Sequence, residues 1–428
     1  MNKDPIWQTI LSTNLPSNQP LASQLQKDRW LLLNTQMLPD LHVWASQQKL
    51  ISIWKDDQPR FRKYVYLCAN QGATTVLDFH QYPPALEWLS GCFGLWVFAL
   101  DRYLDHAIMG YLLQQNWSVE EKIAYLDSEL AYISEPLYSL GGLTTQQACL
   151  AGMPSGQLEP SRRRSQWNGA DGADYAGQLN DLMENHDTSI RKALIDIYQN
   201  FLLHARAGKN WLEPLHTNEK DQCLDQSFQH EHNCEFAVTT LTYEIATLLG
   251  SMRSEAMANF YFQLHRELPD LETYIDQSTP SIYMKANAAL ILALGTSEEE
   301  WKRWYPALSV SAKIVRLAND CATYDQDIQE GKVSSITIEL AASGNSVSGQ
   351  VTGTDQQQRT RAVDSIRNRI KRELQRLEEI IPSNQRNESS LSPLGRFILC
   401  TLAYCLQVYQ SDDYTVPKNQ TLRSTPDK

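Results

Sequence analysis

Asn319, Thr323 and Asp327 recur every four residues in RLANDCATYDQDIQEGK, residues 316–332. On a helix each step of four turns such a stripe by only about 40°, so an amide oxygen, a hydroxyl and a carboxylate share one side. All three are hard oxygen donors, a set that disfavours zinc and favours magnesium. Arg316, one turn before Asn319, and Lys332, in EGK, are placed to address phosphate oxygens. A helix that turns amphipathic and exposed towards its end would give part of this pattern, and Asp325, Gln326 and Glu330 fit that reading. It does not explain Asn319 and Asp320 directly after IVRLA.

A second constellation lies about 220 residues earlier. FALDRYLDH, residues 98–106, sets Asp101 and Asp105 at i and i+4, so both carboxylates project from one helix face. They follow Phe93, Trp96, Val97 and Phe98, and paired carboxylates at the inner end of an apolar helix are costly unless a cation compensates them. A solvated helix end is the competing reading, with Arg102 and His106 alongside. Taken together, the two stripes suit a site that holds divalent cations against a diphosphate.

The elements that must position these residues are helical almost throughout. Residues 83–113 are apolar on nearly every side, as in a helix buried within a bundle. Residues 118–133 open with Ser118 and carry Glu121 three positions later, a capping-box pattern. The 3.6-residue period continues over 190–208, 236–252, 256–270, 281–295, 361–381 and 394–410. The expectation is an all-α fold, a single helical bundle. Residues 1–50 would be an N-terminal arm or extra helices, 51–414 the catalytic bundle, and 415–428 a polar tail. Two stretches rich in Gly, Pro and polar residues, 141–176 and 342–358, read as flexible loops.

Composition bounds the partners. The 428 residues carry a formal net charge of −12 and a pI near 5.3, which argues against nucleic acid as a partner. No apolar run approaches the roughly 20 residues of a membrane span. The N-terminus lacks the apolar segment of a secretory signal, and the eight cysteines form no CxxC pair. A cytoplasmic protein with reduced thiols is expected.

The pattern Asn-Asp-x-x-Thr-x-x-x-Asp, closing in Glu-Gly-Lys, resembles the second metal motif of class I terpene synthases, normally Asn-Asp-x-x-Ser/Thr-x-x-x-Glu. DRYLD resembles their aspartate-rich motif, normally Asp-Asp-x-x-Asp, and the order of the two agrees. Arg102 stands at the second aspartate and Asp327 where Glu is usual. Ser278 stands where the family keeps a diphosphate-sensing arginine, with Arg266 and Lys285 the nearest basic residues. The C-terminal Arg-Tyr pair has no clear counterpart, since Asp413 precedes Tyr414 and Arg396 precedes Phe397.

The resemblance implies a bundle around a central apolar cavity and a bacterial-type cyclase. It would take an isoprenoid diphosphate, with geranylgeranyl diphosphate as the expected substrate and a diterpene as product. A pre-cyclised copalyl-type C20 diphosphate and farnesyl diphosphate are the alternatives. Three magnesium ions, or manganese in their place, would be held by Asp101 and Asp105 on one side and Asn319, Thr323 and Asp327 on the other. Val97 and Phe98 would line the cavity. Phe93, Trp96, Tyr283 and Trp304 are further candidates, with ordinary core packing as the competing role. A homodimer is a common state in the family. A chain-elongating synthase would need a second aspartate-rich motif, and a protonation-initiated cyclase an Asp-x-Asp-Asp; both are absent. From another class, His230, His232, Cys234 and Cys223 suit structural zinc, though i and i+2 diverge on a helix, and a non-catalytic helical scaffold is the remaining alternative.

Overall fold

The structure, a computed structural model, describes residues 24–76, 84–153, 173–207, 223–294, 296–342, 353–381 and 392–410. It is all-α, with no strand among the described residues. The helices are α1 (Gln24–Gln47), α2 (Gln58–Val76), α3 (Pro84–Arg102), α4 (Met109–Gln114), α5 (Val119–Ser139), α6 (Thr145–Leu150) and α7 (Ala173–Ala207). They continue with α8 (Cys223–His265), α9 (Leu271–Ser278), α10 (Met284–Leu290), α11 (Glu298–Glu330), α12 (Ser335–Ala342), α13 (Gly353–Ile380) and α14 (Pro393–Gln410). No described helix is long and apolar enough to cross a membrane.

Local chemistry sets several boundaries. Ser118 accepts from the Glu121 amide while Glu121 bonds back to the Ser118 amide, the reciprocal box read from the sequence. Asp270 and Ser297 cap α9 and α11 from one side only, each side chain accepting from the third helical amide, a bond worth about 1 kcal/mol. Gly331 ends α11 at φ 68°, a left-handed turn that only glycine adopts without strain. This turn swings Lys332 back towards the bundle.

The sequence reading needs three corrections. Residues 141–176 are not loop throughout: Thr144 and Gln147 form a second capping box that opens α6, and α7 already runs from Ala173. The stretch 342–358 likewise includes the start of α13 at Gly353. Residues 83–113 are not one regular α-helix, because Tyr103–Ile108 is a π-helical segment in which the Met109 amide bonds to Leu104 O, five residues back. Residues 154–172, 343–352 and the polar tail at 415–428 lie outside the described residues.

Six helices and two short segments, the π segment Tyr103–Ile108 and the 3-10 turn Thr279–Ile282, enclose the site. α3 packs on α2, α2 on α14, α14 on α11, and α8 packs on α10 and on the 3-10 turn Thr279–Ile282. α10 is the short central piece, touching α3, α8, α11 and α14. Its Ala286, Asn287, Ala288, Ala289 and Leu290 are all buried. The surrounding core holds fully buried Trp54, Trp96, Tyr103, Phe93 and Phe260, each contributing about 1.5–3 kcal/mol of burial.

Candidate active site

One cavity of about 260 Å³ opens above α10. Asp101 and Asp105 line it from α3 and the π segment, and Asn319, Thr323 and Asp327 line it from α11. Two stripes remote in sequence thus share one wall space. Val97, Phe98, Tyr283, Arg316 and Lys332 also line the cavity.

Phe93, Trp96 and Trp304 do not. Phe93 lies behind Tyr283, which meets it edge-on at 6.3 Å. The Trp96 indole turns the other way, donating to Ile190 O at 3.0 Å. Trp304 sits far down α11, packed so closely on Gly395 that a Cβ there would lie 2.3 Å from its ring. All three are core residues, because a large apolar side chain on a helix fills the nearest interhelical gap unless a cavity is held open beside it.

The acidic rim is electrostatically tense. Asp101 is exposed to the cavity mouth, yet desolvation by the protein crowded around it, and then the charge of Asp105, push its carboxyl up to about 7. Its carboxylate makes no hydrogen bond or ion pair among the described residues, and the residue lines the cavity. Burial likewise pushes Asp327 up to about 7, with Asp320 adding to the effect. Thr323 donates to Asp327 at 2.8 Å, which fixes the direction of that carboxylate. Lys332 Nζ reaches Asp105 at 2.5 Å and Glu330 at 2.8 Å, tying the end of α11 to the π segment. Burial works against the ammonium, but Asp105, Asp101 and Glu330 outweigh it and hold its pKa well above the usual lysine value.

A buried cationic network supports the α11 side. The Arg316 guanidinium pairs with Glu255 at 2.9 Å and Asp320 at 3.1 Å. It also donates to Ser281 at 3.2 Å and to the Tyr274 hydroxyl. Asp320 accepts from the Ser335 amide at 2.9 Å, holding the first residue of α12 in place. Glu255 and Asp320 also line the cavity. The sequence singled out Asp320 without giving it a role, and it gave no sign of Glu255, Tyr64, Gln71 or Tyr404. The ring of Tyr64 stacks on Phe98 at 4.3 Å. Burial and then the charge of Asp101 push its phenol up to about 12.

Arg102, which replaces an acidic residue in the aspartate-rich pattern, points out of the site. It donates to Ile53 O at 3.0 Å and lies 3.8 Å from Asp57. Ser278 is buried, while Arg266 lies over the Phe262 ring and Lys285 over that of Tyr305. None of these lines the cavity. Among the described residues no three His, Cys, Asp or Glu side chains cluster closely enough to hold a metal ion. His230, His232 and Cys223 fall within α8, but their side chains lie outside the described residues. The donors that face each other across the cavity are carboxylate, amide and hydroxyl oxygens, and the Asp101 carboxylate is unpartnered. That set fits a hard divalent cation.

Residues 174–376 match the family model described as Terpene synthase family 2, C-terminal metal binding. The matched span runs from α7 into α13 and includes the Asn319, Thr323 and Asp327 stripe, while Asp101 and Asp105 precede it. No curated protein matches the chain.

Proposed function

Because the chain belongs to the class I terpene synthases, enzymes of isoprenoid diphosphates, we propose that it is a magnesium-dependent cyclase of geranylgeranyl diphosphate. The observation that carries this reading is the meeting of the two oxygen-donor stripes at one cavity. Asp101 and Asp105 on one side, and Asn319, Thr323 and Asp327 on the other, would hold magnesium ions, three by likeness to the family. The chemistry such ions supply is neutralisation of charge on the departing pyrophosphate.

The chain's own residues do the rest. Arg316 on α11, and Lys332 just past its C-terminal Gly331 turn, address the diphosphate oxygens as charge-assisted donors. Below them the wall is apolar and aromatic, so the allylic chain is kept from water and its cation faces ring quadrupoles. Phe98, stacked on Tyr64 and edge-on to Tyr283 at 6.2 Å, lies one turn from Asp101 and lines the cavity.

The cavity volume favours a second reading for chain length. About 260 Å³ is just under the ~300–1,000 Å³ usual for ligand pockets, which suits farnesyl diphosphate. Incubating the purified protein with Mg²⁺ and C10, C15, C20 and bicyclic C20 diphosphates, with pyrophosphate release and gas chromatography as readouts, tests both. Release with the C20 chain and a cyclic C20 product is expected. No release with any chain, in Mg²⁺ or Mn²⁺, would overturn the proposal.

A further inference from the structure

α3 contributes no wall residue deeper than Val97, although Phe93 and Gly94 lie only one turn below. What intervenes is Tyr283. We propose that Tyr283, pinned by Gln71, is the floor of the cavity and sets the longest prenyl chain the enzyme accepts; this rests on the diphosphate reading of the rim.

Four observations converge on that residue. Its backbone is left-handed at φ 50°, a conformation that carries a steric cost for any non-glycine residue. The cost is incurred at the junction between the 3-10 turn Thr279–Ile282 and α10, where it redirects the side chain. The ring is wedged edge-on between Phe98 at 6.2 Å and Phe93 at 6.3 Å. Its hydroxyl crosses to α2 and donates to the Gln71 side chain.

Gly94 makes room for this crossing. A Cβ on that residue would stand 3.5 Å from the Tyr283 hydroxyl and 3.2 Å from Cys68 Sγ. Beneath the ring, α10 is buried, and Asn287 is tied to Ser90 of α3 at 2.9 Å. No apolar chain passes below without displacing packed backbone.

The depth follows from helix geometry. Gly94 precedes Asp101 by seven residues, which is about 10 Å along the helix axis. An extended C15 or C20 chain is longer than this, so it must fold back above Tyr283, as cyclisation requires. Removing the ring would open the space over Phe93.

The experiment compares wild type, Tyr283→Phe and Tyr283→Ala on C10, C15, C20 and C25 all-trans prenyl diphosphates with Mg²⁺. Pyrophosphate release and the melting-temperature shift given by each chain are both recorded. Tyr283→Ala is expected to raise the ratio of kcat/KM for the next longer chain over the preferred one at least ~10-fold, the low end of what one methylene commands in an apolar pocket. Tyr283→Phe keeps the ring and leaves the ratio unchanged. If Tyr283→Ala does not fold by circular dichroism, Tyr283→Leu, which ends short of Gln71, is read in the same way. A folded, truncated variant with wild-type chain-length ratios and wild-type shifts overturns the floor assignment. A wild type that releases no pyrophosphate from any chain overturns the diphosphate reading instead, and the length dependence of the shifts then decides the floor alone.

Discussion

Replacing Asp101 by Asn is expected to stabilise the metal-free protein while removing most of its activity. In the folded protein this carboxyl titrates near 7, against an ordinary 3.8. Between those values the folded state keeps a proton that the unfolded chain has lost. Wild-type stability therefore falls as pH rises from about 4 to about 7, and stays low above that. Three pH units at about 1.36 kcal/mol each set a ceiling near 4 kcal/mol. The carboxylate touches water in the cavity, and screening reduces the figure to about 1–2 kcal/mol. With an unfolding entropy of about 2.1 cal/mol/K per residue, a chain of this length gains roughly 1–2 °C in Tm. The assay is thermal and urea unfolding in EDTA across pH 5.5–8.5, where the gain of the variant should be largest at pH 8 and shrink towards acid. Turnover should fall about 10²–10³-fold, the loss usual when one group stabilising a developing charge is removed. An Asn variant less stable than wild type in EDTA at pH 8 would refute the claim that an uncompensated carboxylate sits at this rim.

Lys332→Met removes the bridge from Asp105 to Glu330; a loss of about 1–3 kcal/mol in EDTA, partly recovered on adding Mg²⁺, is expected by urea unfolding. Arg316→Met strands Asp320 in the interior and Glu255 at the cavity wall, and denaturant melts should register about 3 kcal/mol, the low end for a broken buried pair. Gly395→Ala drives a methyl into Trp304. This overpacking should cost about 1–3 kcal/mol without changing chain-length preference, because Trp304 lies outside the cavity wall.

What could be read from the sequence follows a physical rule. Ser118 with Glu121, and the apolar run of α3, carry local signals, so their helices were legible. Asn319 and Thr323 were legible because oxygen donors on an otherwise apolar face are unusual. Glu255 was not, since one Glu on a long mixed helix looks like any surface residue until Arg316 is seen against it. Tyr283 was legible as a wall candidate, and it does line the cavity, but its left-handed backbone has no sequence mark, and Pro280 indicates only that a turn is near. Phe93 and Trp96 show the reverse error. Their aromatic character suits a cavity wall and a core equally well; the path of Tyr283 excludes Phe93, and the bond to Ile190 O turns Trp96 away.

The substitution of Arg102 into the aspartate-rich pattern bears on how the diphosphate would be held. Its guanidinium is anchored on Ile53 and Asp57, outside the cavity, so it lends no positive charge to the rim. The charged side chains that line the cavity are five acids, Asp101, Asp105, Glu255, Asp320 and Asp327, and three bases, Lys63, Arg316 and Lys332. Fully ionised, they leave a net charge of two negatives, which repels a polyanion. Binding of diphosphate and of divalent cation should therefore be strongly coupled, each raising the affinity of the other by the same factor. Calorimetric titration with inorganic pyrophosphate is expected to show no binding in EDTA and clear binding with Mg²⁺ present, and Mg²⁺ alone should bind more weakly than Mg²⁺ with pyrophosphate. Tight pyrophosphate binding in EDTA would mean that Arg316, Lys332 and Lys63 suffice by themselves, and the facing carboxylates would then have no part in holding the substrate.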